Sequence, residues 1–365
     1  MALPPELRLR CSDCGNEPAE WTWRCDCGAP LDFAADFRPD GPAPAPDAFD
    51  ARRGLWSFDD FLPVGPNVTL GEGLTPLVDA PEWGASFKLE YVFPTGSFKD
   101  RGATVTLSVA DELGVERVVE DSSGNAGAAI ATYAARAGID ADVYVPAAVK
   151  ATKLRAVERA GATPVRVEGS REDVTDACLD AVRAGDGWYA SHAWNPAFFA
   201  GTATFAYEVV LQRDWSAPDA VVSPLGHGTL FLGAYRGFRA LSDAGWIDEM
   251  PRFLGAQAAG YAPIAEALHG RDAAAGENDA ADGIQIREPV RKDQILDAIE
   301  ETGGDAIALS EGAVERELDA LHGRGFYVES TSAVAPAALR EYRERGVIDA
   351  TDDVVIPLTG SGMKT

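Results

Sequence analysis

From about residue 71 the chain alternates short β-rich runs with helix-length stretches of 3.6-residue periodicity. No other feature narrows the fold as much. A strand that is followed each time by a helix cannot pair with its predecessor through a hairpin, so the helices become crossovers and the sheet becomes parallel. "ERVVED" (116–121) is predicted as a strand, then "SSGN" as a turn and "AGAAIATYAARAG" as a helix. "ADVYVP", "TPVRVEG" and "WYASHA" follow as strands, separated by helices over "KATKLRAVERAG" and over 171–184. After a long helix from about 198 to 213 come strand "DAVVSP", turn "LGHGT" and helix "LFLGAYRGFRAL". "RFLGAQ", "DAIALS", "FYVES" and "DVVIPL" complete the strands, with helices between them. Residues 270–283, "GRDAAAGENDAADG", read as an acidic, flexible surface loop.

At 365 residues there is enough chain for two domains or one large α/β unit. The charge narrows the partners. A net charge of −26 argues against polyanionic nucleic acid and against anionic membrane surfaces. It fits a cytoplasmic protein of a salt-adapted organism, where ions screen the self-repulsion; an acidic protein of an ordinary cytoplasm is the alternative. The opening "MALPPELRLRCSDCG" has no apolar signal core, and no run reaches transmembrane length.

Four of the five cysteines, Cys11, Cys14, Cys25 and Cys27, fall within seventeen residues as C-x2-C and C-x-C. Gly15 and Gly28 follow the two pairs, as tight metal-binding turns require. Residues 1–34 are therefore expected to be a small zinc-ribbon-like head holding a structural zinc, although C-x-C is a tighter second knuckle than the usual spacing. Cys178 falls in a helical pattern and reads as core. Residues 35–70, which contain "DFRPDGPAPAPD", are expected to be a Pro-rich linker, with 71–365 the catalytic region and a smaller subdomain over about 100–200.

Chemistry is signalled by an economy of lysine. Of 32 basic residues only six are Lys, at 88, 99, 150, 153, 292 and 364, so a bare positive charge is normally written as Arg. A lysine amine can lose its proton and attack a carbonyl, which a guanidinium cannot. Lys99, in "FPTGSFKDRGA", thus becomes a candidate nucleophile, against the plainer reading of a surface lysine in a turn. Two strands also run into glycine turns that open helices, "VVEDSSGNAGAA" and "VVSPLGHGTLFLG". Backbone N–H groups there can hold an anion, or the glycines can simply serve close packing. Neither spells G-x-G-x-x-G, which counts against a nicotinamide oxidoreductase. A zinc-ribbon nucleic-acid module would explain the head but neither the remaining chain nor its charge.

A reactive lysine with a phosphate cradle suggests pyridoxal phosphate. The chain resembles the threonine synthase family, within the tryptophan-synthase-β-like group of pyridoxal-phosphate enzymes. The matching pieces are "GEGLTPL" (71–77), "KLEYVFPTGSFKDRG" (88–102), "SSGNAG" (122–127), "SPLGHGT" (223–229), "FYVESTSAVAPAAL" (326–339) and "PLTGSGMK" (357–364). The resemblance implies two doubly wound α/β subdomains with the cofactor at their interface, and a homodimer. It implies that Lys99 binds the cofactor's aldehyde and moves the proton at the substrate α-carbon. Asn125 would meet the cofactor's 3′-oxygen, and Gly226, His227, Gly228 and Thr229 its phosphate, with His227 standing where the family usually has Asn. Ser122 and Ser123 would contact substrate, and Thr359 the pyridine nitrogen. A hydroxyl there cannot keep the ring protonated as an aspartate would, which disfavours transamination and suits elimination or replacement.

Two residues depart from the family pattern. Phe198 stands where an arginine usually follows Asn-Pro, and Ala126 where a threonine follows Gly-Asn; both normally help hold the phosphate of O-phosphohomoserine. An aromatic ring and a methyl cannot substitute for those groups around a dianion. Relocated contacts could come from other arginines: Arg101, which follows Lys99, or Arg155, which begins a helix near Lys150 and Lys153. Threonine synthesis from O-phosphohomoserine remains the leading expectation. A serine/threonine dehydratase, or a cysteate- or cysteine-synthase-like β-replacing enzyme, is the alternative.

Overall fold

A computed structural model describes residues 3–149 and 151–364, the side chains of 151–153 excepted. In chain order the head carries β1 (Leu9–Cys11) and β2 (Leu31–Phe33), followed by β3 (Leu77–Ala80) and β4 (Ala85–Lys88). Next come α1 (Lys99–Glu112), β5 (Arg117–Glu120), α2 (Asn125–Ala137), β6 (Asp140–Pro146) and α3 (Ala151–Arg159). They lead to β7 (Thr163–Val167), α4 (Arg171–Ala184), β8 (Trp188–Tyr189) and α5 (Pro196–Leu211). The remainder comprises β9 (Ala220–Pro224), α6 (Thr229–Asp243), β10 (Arg252–Ala258), α7 (Pro263–His269) and α8 (Lys292–Glu301). It closes with β11 (Asp305–Leu309), α9 (Glu311–Gly323), α10 (Ser330–Glu344) and β12 (Val354–Pro357). This is the expected α/β alternation.

The chain divides into two compact units. Of the described chain, the first contains residues 3–37, 51–73, 99–149 and 151–202. Its four-stranded sheet is wholly parallel, in the order β7-β6-β5-β8. From Ala141 along β6 buried and half-buried residues alternate, and Val143 and Val145 join Ile130, Tyr133 and Leu107 in the core. Ser170 opens α4 with a capping box, accepting from the Asp173 N–H while the Asp173 carboxylate accepts from the Ser170 N–H.

The second unit contains residues 38–50, 74–98 and 203–364 of the described chain. Its six strands run β11-β10-β9-β12-β4-β3, all parallel except the edge strand β3. Every residue of β9 and of β12 is buried, as expected of central parallel strands covered on both faces.

Three expectations need correction. The stretch 35–70 is not a linker throughout: residues 51–61 form short helical turns broken at Gly54 and Phe58, and Leu55, Trp56 and Phe58 are buried. Even the Pro-rich part is held, because Trp215 and Trp246 donate their indole N–H to the carbonyls of Pro44 and Gly41. "FYVES" is not a strand. Phe326 is used against the rings of Trp83 and Phe87, and only Val328 forms an isolated bridge, to Ser361. The loop 270–283 is not merely surface, since Asn278 and Ala281 are fully buried. The Asn278 amide donates to the Leu309 carbonyl and accepts from the Ala281 N–H, which continues the polar satisfaction beyond the end of β11.

Candidate active site

Lys99 is the first residue of α1 and is half-buried. The two residues before it are fixed by backbone pairing: Ser97 bridges Gly360, and the Phe98 N–H donates to the Thr359 carbonyl at 3.0 Å. Below Lys99 the start of α1 rests on buried polar groups. Glu72 accepts from the indole of Trp56, the hydroxyls of Thr104 and Tyr133, and the Leu70 N–H. The Tyr133 hydroxyl also lies 3.3 Å from the Asp100 carboxylate. Burial, with Asp100 and Glu72 adding to it, raises the Tyr133 hydroxyl far above its usual range, so it remains a donor. Lys88, by contrast, is wholly buried and paired with Glu208 at 2.8 Å, a structural role.

Beside Lys99 lies Phe198, fully buried, with its ring centroid 5.6 Å from the Lys99 Nζ. The fit requires Gly102: a Cβ there would fall 2.2 Å from the Phe198 ring. The His192 ring sits 6.0 Å from the same Phe198 ring. Its Nδ1 is 2.8 Å from Oε1 of Glu120, the last residue of β5. Glu120 is fully buried. The turn that follows carries Ser122 and Ser123, both half-buried, and Asn125 begins α2. Ala126 is buried. Arg101 is wholly buried and Arg155 exposed; Lys150 lies outside the described residues and the side chain of Lys153 outside the description.

In the second unit β9 ends at Pro224, and Leu225 to Gly228 turn into α6. Gly228 has φ +76°, a conformation that only glycine adopts at no cost, and its carbonyl accepts the first-turn bond from the Leu232 N–H. Thr229 is buried and His227 half-buried at this helix start, with Gly226 beside them. Thr359, also buried, follows β12, and its hydroxyl is 3.0 Å from that of Ser332 in the first turn of α10. Ser332 further accepts from the Gly360 N–H at 2.9 Å. Ser332, His192 and Glu120 were not singled out from sequence. Ser332 lay within the matched "FYVESTSAVAPAAL"; the other two stood only in unremarked strand ends.

The four cysteines do come together. Their sulfur atoms all lie within 4.8 Å of one another, with Cys11–Cys27 at 3.6 Å and Cys14–Cys25 at 3.5 Å. Such spacing suits four thiolates around one tetrahedral ion. The Cys27 backbone N–H, with burial opposing and the neighbouring thiols assisting, brings the Cys25 thiol down to about 7. The head is not a detached module. Trp21 packs on Trp188, and Trp23 packs edge-on against Tyr189 and Trp194.

Each unit by itself carries groups of the kinds that pyridoxal phosphate binds: the first an amine at a helix start, suited to an aldehyde, and the second backbone N–H groups at a helix start, suited to a dianion, and a buried hydroxyl. Residues 68–360 match the family described as pyridoxal-phosphate dependent enzyme. The threonine synthase of Methanocaldococcus jannaschii is 33% identical over 374 residues, covering 97% of this chain and 92% of that protein. That of Methanosarcina acetivorans is 32% identical, covering 98% and 92%. Among solved structures, maize serine racemase (TM-score 0.68, 22% identity, covering 79% of this chain and 88% of its own) shares the fold. So does a pyridoxal 5'-phosphate-dependent aspartate racemase (0.67, 24%, covering 79% and 90%). With a family match over most of its length and relatives this similar end to end, the chain belongs to the threonine synthase family of pyridoxal-phosphate dependent enzymes.

Proposed function

We propose that the chain makes threonine from O-phosphohomoserine and water, releasing inorganic phosphate. The observation that carries this reading is the near full-length similarity to threonine synthases. The lysine of "FPTGSFKDRG" at the head of α1 adds the chemistry. Pyridoxal phosphate, when bound, would supply the electron sink that stabilises negative charge at the substrate α-carbon. Lys99 would hold the cofactor and then take and return the α-proton. Gly226, His227, Gly228 and Thr229 would hold the cofactor phosphate through backbone and side-chain donors, and Asn125 its 3′-oxygen. Thr359 would meet the pyridine nitrogen with its hydroxyl oriented by Ser332, 3.0 Å away. Ser122 and Ser123 would bind substrate.

Phe198 and Ala126 favour a second reading, in which an uncharged serine or threonine is dehydrated to a keto acid. Parallel kinetics at high salt on O-phosphohomoserine, O-phosphoserine, serine and threonine decide between the two. Threonine and phosphate released together from O-phosphohomoserine support the first. Keto acid from serine or threonine, with no threonine from O-phosphohomoserine, supports the second.

Cys11, Cys14, Cys25 and Cys27 would hold one structural zinc. The net charge of −26 supports a salt-adapted, cytoplasmic enzyme; among the described residues no helix is long and apolar enough to cross a membrane. The working form would be a homodimer, to be checked by light scattering at high salt.

A further inference from the structure

The head has little core of its own. Its buried apolar cluster is Leu9, Cys11, Cys25, Ala29 and Leu31, two of them cysteines of the candidate metal site. Its sheet has only the strands β1 and β2, and the described residues between them, 12–30, form no helix or strand. A core this small needs a metal to fold, so the order of that loop depends on the four thiolates converging on one ion. Trp23 lies on the loop two residues before Cys25 and is half-buried, its ring edge-on to Tyr189 with centroids 5.5 Å apart. Tyr189 ends β8, the edge strand beside β5. Its hydroxyl donates to Oδ1 of Asp121 at 3.0 Å, while the Thr175 hydroxyl donates to Oδ2 at 2.7 Å. Asp121 follows the last residue of β5 and opens the turn that carries Ser122, Ser123 and Asn125. Resting on the reading above, in which that turn binds substrate and cofactor, we propose that the metal-bound head positions the turn, with Trp23, Tyr189 and Asp121 as the positioning residues that carry its order to Ser122 and Ser123.

The turn has two anchors. On one side the Ser122 carbonyl rests on α2, where a Cβ on Gly127 would fall 1.9 Å from it. On the other side the Asp121 carboxylate is fixed by two hydroxyls, one from α4 and one from β8. Burial raises the Tyr189 hydroxyl well above its usual range, with Asp121 and Glu120 adding to the effect and Ser191 opposing it, so it remains a donor. A hydrogen bond from a phenol to a carboxylate is charge-assisted and directional, so a tilt of the ring weakens it. The ring's edge-on partner is Trp23, itself packed edge-on against Trp194 at 4.9 Å. Once the thiolates are released, residues 12–30 loosen, Trp23 leaves the Tyr189 ring, and Asp121 keeps only Thr175 as a firm partner. The element with two states is that loop, ordered by the ion and loosened without it. Metal binding in the head and substrate binding at the turn are thereby linked, each strengthening the other.

The test uses the cofactor-loaded full chain, with a chelator to remove the metal and zinc(II) to restore it. Two readouts are followed: amide hydrogen exchange over residues 122–125, and KM against turnover number for O-phosphohomoserine. Chelation of the wild type should speed exchange in the turn while β5 stays protected. It should raise KM about two- to thirtyfold and change turnover number far less, and zinc(II) should reverse these changes. Trp23→Ala, which keeps the four thiols, should behave with metal bound as the wild type does without it. Tyr189→Phe keeps the ring and removes only the hydroxyl; it should raise KM in the metal-bound protein and make the turn indifferent to chelator. Turn exchange unaltered by chelation, loss of protection in β5 together with the turn, or a Tyr189→Phe protein that responds to chelator as strongly as the wild type overturns the proposal. Metal-dependent exchange in the turn of a protein that ignores O-phosphohomoserine would refute the assigned reaction and leave the positioning role standing.

Discussion

Replacing Gly102 by Ala tests the geometry around Lys99 most directly. The added Cβ would lie 2.2, 2.3 and 2.4 Å from three carbons of the Phe198 ring, all inside any real contact distance. The ring cannot swing away cheaply, because it is fully buried in the core of the first unit. Overpacking of this kind costs about 1–3 kcal/mol, and the depth of the overlap puts it in the upper half of that range. Alanine in the interior of α1 returns about 1 kcal/mol of helix propensity. The net loss is then about 1–2 kcal/mol. Phe198→Leu alone should cost about 1–2 kcal/mol through the space it leaves. The double variant should be more stable than the sum of the two losses by at least about 1 kcal/mol, since the smaller side chain makes room for the new methyl. Urea unfolding of cofactor-saturated protein at high salt measures all four corners of the cycle. Additive losses, or a Gly102→Ala protein as stable as the wild type, would refute the claim that Phe198 lies on the backbone of α1.

Lys99→Ala and Lys99→Arg should both lose the borohydride-sensitive absorbance and α-proton exchange while keeping the far-ultraviolet circular dichroism, because neither side chain can form the bond to an aldehyde; pyridoxyl mapped to another lysine after reduction would contradict this. Protein purified without chelator should carry about one zinc per chain with Cys11, Cys14, Cys25 and Cys27 protected from alkylation. Removing that metal should change the fluorescence of Trp23, which packs on Tyr189 and Trp194; full thiol reactivity in metal-free protein as purified would rule the site out. The Asp173 carboxyl is held below its ordinary 3.8 by the Ser170 N–H, so its support of α4 is complete above that value and disappears as pH falls through the lower, folded value. Hydrogen exchange in the first turn of α4 should therefore distinguish wild type from Asp173→Asn at neutral pH and converge in acid.

Much of the frame was legible because it is written locally. The α4 helix appears over 171–184 as its helical pattern predicts, and β6, β9 and β12 appear where short apolar runs stand between turns. The cysteine cluster was legible too, since four ligands within seventeen residues need only two turns to converge. What misled was composition read without partners. "FYVES" has the residues of a strand, yet Phe326 is taken by Trp83 and Phe87. Prolines suggested a linker over 35–70, yet Leu55 and Trp56 fill a core with Leu7, Val105 and Val109.

The candidate site divides along the same line. Lys99 and the helix-opening glycines are recognisable because their chemistry demands a residue type at a fixed offset from a strand or turn. Glu120 and His192 carry no such mark: they are separated by 72 positions and are joined only because β5 and β8 lie side by side in the sheet. Phe198 makes the same point from the opposite direction. Its sequence position is one where the family resemblance leads to the expectation of arginine, but what the ring does there depends on Gly102, almost a hundred residues earlier, having no side chain. A substitution at 198 therefore cannot be judged as the loss of one charge. Restoring arginine there would bury a guanidinium against the backbone of α1 unless the contacts of Gly102 and His192 moved with it, so Phe198→Arg alone should destabilise the first unit rather than rebuild a phosphate site.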